Sequence, residues 1–150
     1  MRNHTAVFSG LIIIALAICG CDASLSSAAY HGKYELAQEL VNKGHEVNAY
    51  DKWGWTPLMW AACYNQYSIA RLLLEKGADP NKKSVKEYKS LAIGSTPLMV
   101  AAYYGNTIII KEMLKYKADP EIKDTQGNSA ITYAEQFHGE SALNVFKAKN

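Results

Sequence analysis

One seven-residue phrase, written twice, constrains this chain more than anything else in it. Thr56-Pro57-Leu58-Met59-Trp60-Ala61-Ala62 returns as Thr96-Pro97-Leu98-Met99-Val100-Ala101-Ala102. Each copy is followed by an apolar run, Ile69 to Leu74 and Ile108 to Leu114. Then come Gly77-Ala78-Asp79-Pro80 and Lys117-Ala118-Asp119-Pro120. Fainter copies flank these two. Ala28-Ala29 precedes Leu36-Ala37, Leu40-Val41 and Gly44, and Ser129-Ala130-Ile131-Thr132-Tyr133-Ala134 precedes Ala142-Leu143 and Val145-Phe146. The steps from Ala28 to Ala61 and from Thr96 to Ser129 are both 33 residues, while Thr56 to Thr96 is 40, one period plus an insertion of seven. A short unit repeated at fixed period cannot bury its own apolar face, so each copy must stack on its neighbours.

Local chemistry agrees. Thr56 and Thr96 are placed to cap helix N-termini with their hydroxyls. Pro57 and Pro97 then fall at the first helical position, where a missing N–H costs nothing. The alanine pairs let neighbouring helices approach closely. Ile69 and Leu72 to Leu74 mark a second helix. Gly44 and Gly77 are placed to end that second helix in a left-handed conformation. Lys117 takes this place in the third copy, at an expected cost of about 1 kcal/mol.

On these residues the chain resembles an ankyrin-repeat protein over roughly Ser24 to Phe146. The resemblance implies an all-α solenoid of about four helix–turn–helix repeats joined by finger loops, with almost no β-sheet. The expected repeats are about 23–50, 51–83, 91–123 and 124–147 of a domain spanning 21–150. An insertion enlarges the finger at 82–95, and the end copies serve as caps. One departure stands out. The family motif continues Thr-Pro-Leu-His, and that His bonds within and between repeats. Here the position holds Ser26, Met59, Met99 and Thr132, so the polar staple is expected to be absent and apolar stacking to carry stability.

Residues 1–20 read as a signal. Ala6 to Ile18 is apolar apart from Ser9 and Gly10, a run of 13 residues. That is short of the ~20 needed to cross a bilayer as a helix but suits a secretory signal; an uncleaved N-terminal anchor is the other reading. Ile18-Cys19-Gly20-Cys21 resembles a bacterial lipobox, with Cys at its second position as a departure. The resemblance implies lipidation of Cys21 and an envelope-anchored product. Asp22 then implies retention at the inner membrane, facing the periplasm, if the host is Gram-negative; a polar linker residue is the other reading. Cys63 is left as a lone thiol and is expected to pack rather than react.

Composition narrows the function. With 49% hydrophobic and 20% charged residues, a net charge of +2 and three cysteines, a fibrous chain, a polytopic membrane protein and a disulfide-knotted toxin are excluded, and nothing points to nucleic acid. No phosphate loop, nucleophile elbow or metal-spaced His pair occurs, so neither catalysis nor a cofactor or metal is expected.

The aromatics are the informative residues. Ankyrin resemblance places partner contacts on finger tips and on the exposed end of each first helix. Those positions hold Tyr30 and His31, then Tyr50, Lys52, Trp53 and Trp55, then Tyr64, Tyr103, Tyr104 and Phe137. Trp53 and Trp55 are expected as an exposed pair, because exposed aromatic clusters mark interaction sites, whereas Trp60 is expected to pack. The insertion carries Lys82, Lys83, Lys86 and Lys89 against Glu87. It is read either as a contact for an acidic partner or anionic membrane, or as a solvated loop. The expected function is a protein-binding module, monomeric when unbound, that inhibits or regulates its partner. One form of this is an immunity protein against a secreted toxic enzyme such as a phospholipase. The alternatives are a periplasmic accessory protein supporting an enzyme, for example in oxidative defence, and an envelope spacer.

Overall fold

The computed structural model describes residues 24–147. The expected signal, Cys21 and Asp22 lie outside the described residues. Seven helices follow in order: α1 (Leu25–His31), α2 (Tyr34–Asn42), α3 (Pro57–Cys63), α4 (Tyr67–Glu75), α5 (Pro97–Tyr103), α6 (Thr107–Lys115) and α7 (Ala130–Lys147). Among the described residues the one β feature is an isolated bridge, Tyr88 to Leu91.

Helices alternate between two layers. The inner layer stacks α1 on α3, α3 on α5 and α5 on α7, while α2, α4 and α6 form the outer layer. The inner helices start where the hydroxyls are. Thr56 and Thr96 Oγ1 accept the N–H of Met59 and Met99 at 3.4 and 3.3 Å, and Ser24 Oγ accepts that of Ser27 at 3.1 Å. The methionines that replace the family histidine return the favour. Their sulfurs accept the N–H of Thr56 and Thr96 at 3.4 Å, completing a reciprocal cap in the buried layer. Ala28, Ala29, Ala61, Ala62, Ala101 and Ala102 are wholly buried, as close helix approach requires.

The apolar stacking expected in place of the family histidine is supplemented by polar staples from two asparagines. Asn48 donates to the Gly77 carbonyl at 3.1 Å and accepts from the Asp79 N–H at 2.8 Å. Asn81 repeats both bonds one unit on, to Lys117 and Asp119. A side-chain amide carries a donor and an acceptor, so it can pair with both backbone groups of a neighbouring turn. Asn106 adds a bond of 2.7 Å back to the Ala62 carbonyl.

Gly44 and Gly77 are left-handed, and Lys117 adopts the same conformation at φ 64° despite its side chain. Inner and outer helices are separated by another left-handed residue: Gly32, Asn65 and Gly105. His138 stands at this place in the fourth copy, is not left-handed, and the copy runs on as the single 18-residue helix α7. Its imidazole Nε2 bonds the Tyr103 carbonyl at 2.7 Å, where α5 ends.

Candidate partner-binding face

Three fingers project from the stack. Two are short and built alike around a carboxylate. Asp51 Oδ1 accepts the N–H of Trp53 and Trp55 at 2.9 and 3.1 Å, and its other oxygen accepts the Trp60 indole N–H at 2.5 Å. Asp124 Oδ1 likewise accepts from Gln126 and Asn128, and its other oxygen accepts the Tyr133 hydroxyl at 2.7 Å. Burial, and then that bond, push the Tyr133 hydroxyl up to about 12. In both fingers one acidic side chain closes the turn and ties it to the inner helix that follows.

The middle finger runs from Ser84 to Ser95, joined by a backbone bond of 2.8 Å, and contains the insertion. It is a folded element, not a solvated loop. Leu91 and Ala92 are buried. The Val85 N–H donates to the Gly54 carbonyl on one side, and the Thr125 N–H donates to the Ile93 carbonyl on the other. Gly54 is left-handed, and a Cβ there would meet the Lys86 amide nitrogen at 2.9 Å, so only glycine lets the fingers meet.

Tyr88 at the tip folds back over the inner layer. Its ring lies 4.7 Å from Trp55, 5.1 Å from Trp60 and 6.3 Å from Trp53. Trp60 in turn meets Tyr30 at 5.3 Å and Tyr64 at 6.2 Å, and Tyr30 meets His31 at 4.7 Å. A second group joins Tyr103, Tyr104, Tyr133 and Phe137 over α5 and α7.

The sequence-expected residues thus divide. Tyr30, His31, Tyr50, Lys52, Trp53, Tyr64 and Phe137 are exposed, Trp53 at 50%. Tyr103 and Tyr104 are half-buried between repeats. Trp55 corrects the expectation of an exposed pair: it is 0% exposed. The Asp51 turn directs neighbouring side chains oppositely, and the indole of Trp55 packs between Trp60 and Tyr88. Tyr50 is exposed but held, donating its hydroxyl to the Lys83 carbonyl at 2.6 Å. Trp60 is buried as expected, although the cover comes partly from Tyr88, across the insertion.

Three titratable groups in and under this surface are shifted. Burial pushes the Cys63 thiol up, and it is the free cysteine among the described residues. Burial also raises the Tyr104 hydroxyl, helped by the nearby Cys63 thiol, which does not satisfy it with a well-formed hydrogen bond. The Tyr64 hydroxyl is raised chiefly by its interaction with that of Tyr30. None of these shifts creates a nucleophile or base at neutral pH. Among the described residues no three His, Cys, Asp or Glu side chains are grouped to hold a metal, and no helix is long and apolar enough to cross a membrane.

Comparison with known families settles the fold. A model described as ankyrin repeats (3 copies) matches residues 4–84, and a second, ankyrin repeats (many copies), matches residues 86–134. The chain belongs to the ankyrin-repeat family. Among relatives, a putative ankyrin repeat protein of Rickettsia felis is 40% identical over 44% of this chain and 30% of its own length. The 2-5A-dependent ribonuclease of Mus musculus is 43% identical over 41% of the chain and 9% of the relative. The mitochondrial disaggregase of Homo sapiens is 42% identical over 40% of the chain and 8% of the relative. These alignments span less than a third of each relative, so what is shared is the ankyrin stack. Ankyrin stacks are protein–protein interaction modules, and the enzyme names belong to relatives matched over a small share of their length.

Proposed function

We propose that this chain is a lipid-anchored binding protein that holds, and inhibits or regulates, a partner protein through the aromatic face of its inner layer. One observation carries the reading. Tyr30, Trp53, Tyr64 and Phe137 leave large apolar rings exposed along the inner layer and first finger of an ankyrin stack. Aromatic side chains bury much area at little entropic cost and dominate interface energetics. In this proposal Cys21 carries the lipid and the stack faces the periplasm. About three residues separate Cys21 from the cap at Ser24, a tether of roughly 10 Å when extended. A partner on the aromatic face would then be held near the bilayer, where an immunity protein would meet an incoming lipid-attacking enzyme.

Capture of the partner from envelope extracts, followed by calorimetry, tests the reading. Trp53→Ala and Tyr64→Ala should each weaken binding by about 2 kcal/mol. Variants that stay folded and bind as tightly as the parent would overturn it. The anchor has its own test: fatty-acid label should be lost from a Cys21→Ser protein, and label retained there would reject lipidation at Cys21.

A further inference from the structure

The finger edge beside the aromatic face carries a cluster of lysines that the fold holds in place. Lys86 Nζ donates to the Lys52 carbonyl at 2.8 Å, and Lys83 Nζ donates to the Lys123 carbonyl at 3.2 Å. Lys82 Nζ lies 4.7 Å from the centre of the Tyr50 ring, Lys52 Nζ 5.7 Å from that of Trp53 and Lys89 Nζ 5.3 Å from that of Tyr88. These five ammonium groups form a strip along the first and middle fingers, and that of Lys83 reaches the backbone of the third. Their bonding partners are carbonyls and ring faces. The ion pairs among the described residues, Glu39–Lys43, Arg71–Glu75 and Glu112–Lys115, all lie on outer helices. Within the middle finger Glu87 is the one acidic side chain, and it is exposed; the aspartates of the neighbouring turns accept backbone N–H groups. Asp51 and Asp124 close their turns, and Asp79 and Asp119 accept the N–H groups of Asn81 and Glu121.

Exposed ammonium groups held along one edge set up a positive field that an anionic partner complements. Each ammonium has three donors, and those of Lys83 and Lys86 each spend one on a carbonyl. We infer that this strip is a docking edge for an acidic segment of the partner protein, lying beside the apolar patch that meets the aromatic face. The inference rests on that face being the binding face. A protein suits the strip better than a lipid surface for two reasons. Membrane-seeking lysines work by extending freely toward headgroups, whereas Lys83 and Lys86 are tied down at fixed positions. The strip also adjoins the exposed ring of Trp53, whose centre Lys52 Nζ approaches to 5.7 Å, so one occupant can touch rings and ammonium groups together.

Labelled decaglutamate, titrated with the full chain at about 50 mM salt, tests the strip directly. A Lys52→Gln, Lys83→Gln, Lys86→Gln, Lys89→Gln variant should bind about tenfold more weakly or worse. A control with Lys33, Lys43, Lys76 and Lys111 changed to Gln should bind like the parent. Equal loss in both variants, or in neither, would overturn the inference. So would chains that ignore decaglutamate yet bind vesicles of about 30% phosphatidylserine in the same lysine-dependent way, which would assign the strip to a membrane. If the quadruple variant melts early, Lys83→Gln with Lys89→Gln must show a partial loss, and an undiminished affinity there also overturns it. Failure of the aromatic reading is separable: Trp53→Ala and Tyr64→Ala would leave partner capture intact at high salt, where lysine contacts are screened, whatever decaglutamate does.

Discussion

The finger that starts at Asp51 and the finger that starts at Ser84 occupy equivalent places one repeat apart, and they are held by different means. At Asp51 a single carboxylate closes a four-residue step and binds the indole of the next inner helix. At Ser84 there is no carboxylate, and the inner helix that follows offers Val100 instead of Trp60. The finger is longer, and it holds itself by burying Leu91 and by bonding backbone to the fingers on both sides. A tight turn can be organised by one polar side chain, whereas a long hairpin needs apolar burial and neighbours. The long finger then does what the short ones cannot: it reaches back to roof the tryptophans of the preceding repeat with Tyr88.

The sharpest contrast lies within the short finger. Trp55→Ala empties a fully buried site and should cost about 3–5 kcal/mol in urea unfolding, whereas Trp53→Ala should change stability by no more than about 0.5 kcal/mol. Equal effects would erase the distinction between packing and surface tryptophan. Leu91→Ala should cost about 3 kcal/mol if the long finger is anchored by its own apolar residue. A loss below about 1 kcal/mol would mean the hairpin hangs on backbone bonds alone. Asp51→Ala strands the Trp60 indole and should cost about 2–3 kcal/mol, measured the same way; the equivalent change at Ser84 should cost well under half of that. Lys117→Gly should stabilise by about 1 kcal/mol in thermal unfolding, since φ is 64° there.

The smallest effect is with pH. The Tyr133 hydroxyl stands at about 12 in the fold against the ordinary 10, and those of Tyr64 and Tyr104 are raised too. Their contribution is fully present below the unfolded value and is lost as pH rises through the folded one. Stability should therefore decline from about pH 10 toward 12, and Tyr133→Phe should flatten part of that slope.

Much of this molecule follows from local chemistry and could be read along the chain. Thr-Pro starts a helix wherever it stands, because the hydroxyl and the ring act within one turn. The 33-residue period marks the stack, because each unit needs a neighbour. Lys117 in a glycine's place betrays its own strain. The exposed aromatics Tyr30, Trp53, Tyr64 and Phe137 were legible for the same reason, as positions within a repeated unit. What tertiary structure decided depends on residues far apart in sequence meeting in space. Trp55 went inward because Tyr88, 33 positions later, closes over it. Asn48 and Asn81 became staples only once the next repeat presented its turn. The lysines of the insertion are held in place because the carbonyls of Lys52 and Lys123 are presented by the fingers either side. Period and capping are properties of a few consecutive residues, whereas burial, stapling and charge clustering belong to the assembled stack.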